Sequence, residues 1–254
     1  MPRSSRTITA LVHTVKPHIA PPAAARGCAK PRSVRSGVWG AIRTLMPGRA
    51  VLPDSAVFAG VSMGPIAPIP AAIVPHLRAK CPLAHDGRTA AETHRLVYVP
   101  AALNGEPTSV AVLRAFGMER GGRALPLFAS LAGLHREHFE TAPLPNGIWV
   151  LGYGEIEPPA GWGCIKPGIA GGYRTARAIE QVALLILCVL EHGERLLPHS
   201  YARTADVFAS GEEVCVGNLH GARPIVRAQE TAAIPRGRAL VWSHDCALPF
   251  NDKG

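Results

Sequence analysis

The first fifth of the sequence lacks acidic residues. Asp and Glu are absent before Asp54, whereas nine of the 27 Lys and Arg residues of the chain lie in that stretch. The rest of the chain carries 18 basic and 18 acidic residues, so the formal net charge of +9 belongs entirely to the N-terminal segment. We therefore expect any interaction with an acidic partner to involve that segment and not the neutral body of the protein.

Long apolar runs are absent as well. The most apolar stretch, Val182 to Leu190, is about half as long as the roughly twenty residues that a membrane-spanning helix needs. It predicts a buried helix that begins near Thr175 or Ala178 and ends at Gly193, because glycine suits the position after a helix. No apolar stretch resembles a secretory signal, so we predict a protein that is not secreted and has no membrane span.

Closely spaced cysteines and two common functional motifs are also missing. The six cysteines contain no C-x-x-C pair, which predicts reduced thiols, with Cys188 packed in the core. The spacing of His76, Cys81, His85 and His94 matches no common structural zinc pattern, so we expect solvated or helix-capping histidines and no structural metal. The motifs H-E-x-x-H and G-x-x-x-x-G-K-[ST] do not occur.

The apolar residues that are present form short runs separated by Gly and Pro. With 47% hydrophobic and 18% charged residues, the chain is expected to fold. Short runs of this kind favour strands and loops over a helical bundle. The runs are Ala50–Gly60, Leu96–Ala102, Ser109–Phe116, Ile148–Gly152, Glu213–Val216, Pro224–Val226 and Ala239–Trp242. We predict a β-rich α+β fold of short strands, with a buried helix near residues 178–191 and a basic, irregular N-terminal arm.

The arm, residues 1–35, is rich in Arg, Ser, Ala and Pro, which is typical of an organellar transit peptide. A mitochondrial matrix location is therefore favoured, and a cytoplasmic one is the alternative. A second interpretation is a tail that contacts nucleic acid through its cations; a third is a chance bias of composition. The candidate nucleic-acid contacts are Arg26, Lys30, Arg32, Arg35, Arg43 and Arg49.

The segment Arg195-Leu196-Leu197-Pro198-His199-Ser200 resembles the R-F-[IL]-N-H-S element of the SET domain, the fold of protein-lysine methyltransferases that use S-adenosylmethionine. The resemblance implies that Arg195, His199 and Ser200 line the methyl-donor pocket. Pro198 stands in place of the Asn of the family. Because proline has neither an amide side chain nor a backbone N–H, it cannot make the contact that Asn makes to the cofactor.

Residues 225–245 resemble the strand, turn and strand of that family that end in G-E-E-L-x-x-x-Y. Gly237, Leu240 and His244 stand at the offsets of this motif, and Pro235 and Gly237 predict a turn between two apolar strands. His244 replaces the Tyr that orients and helps deprotonate the lysine amine in the family. The resemblance makes His244 the candidate catalytic residue, since a histidine can act as a base near neutral pH.

Residues 36–52 resemble the Gly-rich strand, turn and second strand with which SET domains begin, and the resemblance places Trp39 and Gly40 beside the cofactor. It implies that residues 36–254 form a single SET-like mixed α/β domain. The matching ends of that domain are separated by a large insertion, about residues 61–194.

The replacement of both the Asn and the Tyr favours a scaffold without catalysis. We therefore expect a degenerate SET-like protein that serves as a non-catalytic subunit or assembly factor of a mitochondrial complex, with a ribonucleoprotein as its expected setting. Its partners would be the proteins of the complex and RNA bound by the arm, and it would need no cofactor. One alternative is an active protein-lysine methyltransferase that binds S-adenosylmethionine. The other is a coat or scaffold protein that packages nucleic acid with its basic arm.

Overall fold

Helices and strands alternate irregularly in the part of the chain that the computed structural model describes, residues 34–84, 86–121, 137–154, 172–197, 201–219, 223–228 and 236–242. The helices are α1 (Val34–Leu45), α2 (Ile73–Arg78), α3 (Ala90–Thr93), α4 (Val110–Gly121), α5 (His138–Thr141) and α6 (Ala178–His192), and Ala56–Phe58 form a 3-10 turn. The strands are β1 (Ala50–Val51), β2 (His94–Val99), β3 (Ala102–Leu103), β4 (Glu106–Pro107), β5 (Ile148–Tyr153), β6 (Tyr173–Thr175), β7 (Tyr201–Val207), β8 (Glu213–Leu219), β9 (Arg223–Ala228), β10 (Arg236–Arg238) and β11 (Leu240–Trp242). This mixture confirms the predicted α+β class.

A five-stranded central sheet has the order β1-β2-β5-β11-β6. Strand β1 pairs in parallel with β2, and the other neighbours are antiparallel. The longest ladder joins β2 to β5, from His94 opposite Tyr153 to Val99 opposite Ile148. Three of the five strands come from residues 61–194, so this stretch supplies the middle of the sheet.

The two faces of the central sheet contact different helices, because successive side chains of a strand point to opposite sides. One face packs against α6 and α4, and it carries Val51, Val97, Val150 and Val241. The opposite face contributes Leu96 and Leu151 to a core shared with α1 and α2, and Trp242 packs against that core. A helical layer on each face is what a sheet with two apolar faces requires.

Helix α6 confirms the strongest prediction made from the sequence. It begins at Ala178, and Gly193 ends it in the left-handed conformation with φ 68°. Every residue from Ala178 to Cys188 is buried, including Cys188 as predicted, because the helix lies between the central sheet and a second sheet. Among the described residues, no helix is both long and apolar enough to cross a membrane.

The second sheet has the order β10-β7-β8-β9, and it corrects one prediction. Gly237 was expected in a turn between two strands, but it lies within β10 and pairs in parallel with Ala202 of β7. The chain crosses from the second sheet to the central sheet at Ala239. The N–H of this residue donates to the carbonyl of Arg203 at 3.0 Å, and its carbonyl accepts from Ala176 at 2.8 Å. Strands β9 and β11 therefore belong to different sheets.

Helix α1 corrects a second prediction, because residues 36–45 were expected to form a Gly-rich strand. The apolar residues Val38, Ile42, Leu45 and Met46 recur at helical spacing, and all four pack in the core shared with α2. The SET-like order of strand, turn and strand is thus not found over residues 36–52, where a helix precedes the two-residue strand β1.

Helix α4 also differs from prediction, because the run Ser109–Phe116 was assigned to strands and loops. The Ser109 hydroxyl accepts the backbone N–H of Val112 at 3.3 Å, so this serine caps the start of the helix. The buried side chains of Leu113 and Phe116 are spaced for a helix that packs against α6. The serine cap in front of the apolar residues Val110 to Leu113 was the overlooked signal.

Candidate functional site

Polar aromatic side chains from neighbouring strands gather on the α1 and α2 face of the central sheet. They are His94 of β2, Tyr153 of β5, Trp242 of β11 and Tyr173 of β6, with His76 of α2 packed against them. We call these five residues the histidine cluster. The His76 and Trp242 rings stack with centroids 4.4 Å apart, and the His94 and Tyr153 rings meet edge to face at 5.4 Å.

A chain of hydrogen bonds runs through this cluster. Nε2 of His76 lies 3.0 Å from the hydroxyl oxygen of Tyr173, and the same oxygen lies 2.8 Å from Nε2 of His94. His76 is half-buried, whereas His94 is 0% exposed and Tyr173 is 3% exposed. The Cys81 thiol is a further hydrogen-bonding neighbour of the phenol. The chain therefore leads from a partly accessible imidazole to one that solvent does not reach.

The far end of the chain fixes where its protons lie. Nδ1 of His94 is 3.1 Å from the carbonyl oxygen of Ala90 and 2.9 Å from the Thr93 hydroxyl, which already donates its proton to the Thr89 carbonyl at 3.0 Å. Because both neighbours then act as acceptors, Nδ1 carries the proton. Nε2 of a neutral His94 is then an acceptor, and the Tyr173 hydroxyl donates to it. Because that donation uses the one phenol proton, Nε2 of His76 must donate to Tyr173. Neutral His76 therefore carries its lone pair on Nδ1, for which the described residues offer no hydrogen-bond partner.

Burial controls the ionisation of all three groups. Loss of hydration lowers the pKa of His94 to about 3, with the neighbouring His76 as the next cause. Burial also lowers the pKa of His76 below its ordinary value of 6.5, and it raises the pKa of the Tyr173 phenol. Near neutral pH the chain is thus imidazole, phenol and imidazole, all uncharged, which agrees with the assignment of protons from the hydrogen bonds.

Helix α2 positions His76 through two neighbours. Ile73 and Leu77 are 1% and 0% exposed, and they hold one side of this short helix against the core. His76 follows Ile73 by three residues, so both side chains lie on the same side of the helix. Stacking on Trp242 then fixes the plane of the imidazole.

A cleft of about 270 Å³ adjoins the histidine cluster, and we call it the tryptophan cleft. Its walls include the indole rings of Trp149 and Trp242 and the side chains of Pro68 and Pro70. Trp242 belongs to both features, since it lines the cleft and stacks on His76. The Nε1–H group of Trp149 donates to the carbonyl of Ala67 at 3.2 Å and so orients that indole.

Charged residues line the other part of the tryptophan cleft. Glu180 of α6 is 3% exposed, and its carboxylate accepts two hydrogen bonds from the Arg174 guanidinium at 2.6 and 2.7 Å. The backbone N–H of Arg177 also donates to this carboxylate at 2.8 Å. The Arg177 side chain is 46% exposed, and its Nε lies 4.0 Å from Glu180, outside hydrogen-bond distance. The three side chains therefore leave one positive charge beside the cleft.

Several residues of the SET hypothesis lie outside the described residues. They are His199, Ser200 and His244, together with Arg26, Lys30 and Arg32 of the arm. Arg35 lies in α1, and its side chain is not described. The proposed roles of these residues, and the mitochondrial and ribonucleoprotein setting inferred with them, stay predictions.

The remaining predicted site residues are not members of the histidine cluster. Trp39 and Gly40 belong to α1, and Arg195 is an exposed residue after α6. The Arg43 guanidinium forms an ion pair with Asp54, and Arg49 donates to the carbonyls of Ala91 and Glu92. These contacts give Arg43 and Arg49 a role in holding the fold together; contact with nucleic acid stays a prediction for both.

The sequence pattern indicated the histidines but not their arrangement. His94 is buried, so it was wrong to expect a solvated residue there, although its bond to Ala90 confirms a capping role. Tyr173, which joins the two histidines, was overlooked because it is 97 residues from His76 and belongs to no motif. No three or more His, Cys, Asp or Glu residues within the described ranges are arranged to hold a metal ion.

Comparisons with protein-family models, with curated proteins and with solved structures gave no match to this chain.

Proposed function

We propose that this protein is an enzyme in which His76 acts as a general base toward a small molecule. The observation that carries the proposal is the hydrogen-bond chain from His76 through Tyr173 to His94, because it leaves the lone pair of a half-buried imidazole on Nδ1. Burial keeps the pKa of His76 below 6.5, so the base is deprotonated at neutral pH.

Tyr173 and His94 are positioning residues in this proposal. When Nδ1 takes a proton, the new imidazolium still donates through Nε2 to the phenol oxygen, and the phenol donates onward to His94. The arrangement is that of a base oriented by a second group, which a third group orients in turn. A neutral phenol stabilises the imidazolium less than a carboxylate would, which agrees with a base whose pKa lies below its ordinary value.

The reaction class is the activation of water or of a hydroxyl group. Nδ1 takes a proton from the attacking O–H while the oxygen forms a bond to an electrophilic carbon. The bond to the leaving oxygen then breaks, and Nδ1 returns its proton to that oxygen. General-base assistance of this kind contributes about 10²- to 10⁴-fold to a rate.

Hydrolysis of 4-nitrophenyl acetate tests the proposal without knowledge of the natural substrate. We expect the wild-type rate to rise with pH through a midpoint below 6.5, and His76→Gln to lower the rate by about 100-fold. His192→Gln is the matched control, because His192 is also half-buried and bonds the Ala50 carbonyl at the far end of α6. Equal rates for wild type and His76→Gln between pH 5 and 8 would refute the proposal.

Tyr173→Phe separates a positioning role from a structural one. Without the phenol oxygen, the imidazolium of His76 loses its acceptor, so the midpoint of the pH profile should move to lower pH. A rate that falls with no change of midpoint would indicate a structural role alone. Nitrogen NMR of the histidine rings gives a second readout, in which His76 at neutral pH should carry its proton on Nε2 and not on Nδ1.

A further inference from the structure

The apolar walls of the tryptophan cleft are flat. The indoles of Trp149 and Trp242 come from the neighbouring strands β5 and β11, and Pro68 and Pro70 add two further rigid rings. Hydrogen bonding to Ala67 holds the first indole, and stacking on His76 holds the second. Fixed indole rings favour a planar aromatic ligand, which can stack on them or meet them edge to face.

The described residues that line the cleft carry one net positive charge. Arg174 and Glu180 neutralise each other through two hydrogen bonds, at 2.6 and 2.7 Å. Arg177 contributes the remaining charge, and its half-exposed guanidinium lies 4.0 Å from Glu180 at the nearest atom. A guanidinium offers paired N–H donors that match the two oxygens of a carboxylate.

We propose that the tryptophan cleft binds a planar aromatic carboxylate, with its ring against Trp149 and Trp242 and its carboxylate on Arg177. A carboxylate carries one negative charge, which Arg177 balances, whereas a phosphate monoester would place nearly two negative charges beside Glu180. The cleft volume of about 270 Å³ suits a ligand of one or two rings.

This inference rests on the proposed function, since it names the substrate class of the same site. Trp242 lines the cleft and stacks on His76, so the cleft and the proposed base meet at this indole, and His76 is not itself one of the lining residues. The proton that His76 removes would then come from water or from a hydroxyl beside the bound ring.

Calorimetric titration of the full chain with five small probes tests the ligand class. The probes are benzoate, indole-3-carboxylate, benzamide, cyclohexanecarboxylate and phenyl phosphate. We expect both aromatic carboxylates to bind, benzamide to bind at least tenfold more weakly for lack of charge, and cyclohexanecarboxylate to bind several-fold more weakly for lack of a flat ring. Absence of heat with benzoate and indole-3-carboxylate at millimolar concentration, or tighter binding of phenyl phosphate, would overturn the inference.

Arg177→Gln tests the residue that holds the carboxylate. This substitution should raise the dissociation constant of benzoate at least tenfold and leave that of benzamide nearly unchanged. Arg120→Gln is the charge-matched control, because Arg120 is exposed on α4 and bonds the Ala59 carbonyl. An equal loss of benzoate binding in both variants would mean that only overall charge matters, and it would contradict the inference.

His76→Gln distinguishes failure of this inference from failure of the proposed function. Because the imidazole also holds Trp242, the variant should bind benzoate and benzamide more weakly by the same factor, keep the preference for benzoate that Arg177 supplies, and lose ester hydrolysis. If benzoate binding depends on Arg177 but hydrolysis does not depend on His76, the ligand class is supported and the role of His76 as a general base is refuted. Hydrolysis that depends on His76, with no binding of aromatic carboxylates, would refute the ligand class alone.

Discussion

The two faces of the central sheet are built from different chemistry. The face toward α6 carries Val97, Val150 and Val241, and α6 itself is apolar on every side from Val182 to Cys188. The other face carries leucines near α1, and it also carries His94 of β2 and Tyr173 of β6, which are hydrogen-bonded to each other. Aliphatic packing alone would stabilise both faces, so buried hydrogen-bonded histidines on one of them indicate a function beyond stability.

The aliphatic face should contribute most to stability. Leu185 of α6 is 0% exposed and belongs to the large core between the two sheets. We expect Leu185→Ala to lower the free energy of unfolding by about 3 kcal/mol, through lost burial and the cavity left behind. Urea unfolding measures the loss, and Val207→Ala, at a side chain that is 56% exposed, is the control. Equal effects of the two substitutions would mean that α6 is not at the centre of the core.

The same face also depends on a close approach of strand and helix. A Cβ atom at Gly152 of β5 would lie 2.3 Å from Cδ1 of Leu184, which is itself buried. We expect Gly152→Ala to destabilise the protein by about 2 kcal/mol, because the side chains around Leu184 must shift. A thermal melt at neutral pH checks this, and an unchanged midpoint would show that β5 and α6 have room between them.

The buried His94 should make the stability of the protein depend on pH. The folded pKa of His94 is about 3, and the ordinary value is 6.5, so between these values the unfolded state binds a proton that the folded state does not. Stability should fall as pH falls below 6.5, by up to about 1.4 kcal/mol per pH unit from this group.

His94→Gln removes that contribution while it keeps a carbonyl oxygen that can accept from Tyr173. The variant should be less stable than wild type at pH 7, and its stability should decline less steeply between pH 6.5 and 4. Urea titrations across this range measure both slopes. If stability falls equally steeply with pH in wild type and variant, His94 is protonated in the folded protein, and the assignment of protons along the hydrogen-bond chain is wrong.

The smallest expected effect concerns the helix that covers the histidine-bearing face. Gly40 is an exposed residue of α1, and no atom lies within 4 Å of a Cβ built there. Gly40→Ala should stabilise the protein by about 0.5 to 1 kcal/mol, since alanine restricts the unfolded chain and favours a helix. If Gly40→Ala instead destabilises the protein, the result would favour the strand that the SET resemblance assigned to this residue. It would also favour the cofactor contact assigned with that strand.

Local patterns predicted local structure well. The apolar run and Gly193 located α6, whose start was expected near Thr175 or Ala178. The runs that begin at residues 96, 148, 213, 224 and 239 overlap β2, β5, β8, β9 and β11. Helices α1 and α4 were overlooked because short apolar runs interrupted by glycine fit either period.

The candidate site was not predictable in the same way. His76 and His94 were noticed as neighbours in sequence, but Tyr173 reaches them only because β6 lies in one sheet with β2. Strand order depends on long-range packing, and no spacing of residues in the sequence encodes it directly. The two arginines and Glu180 form part of the cleft for the same reason, since β6 and the start of α6 bring them to the indoles.

Strand β11 has a consequence for synthesis of the protein on the ribosome. This strand, Leu240–Trp242, lies between β5 and β6 in the interior of the central sheet, although it comes after both in the chain. A nascent chain that has emerged only as far as the second sheet has a gap in the middle of the first one. Completion of the sheet, and with it the placement of Trp242 against His76, must therefore await the last described strand.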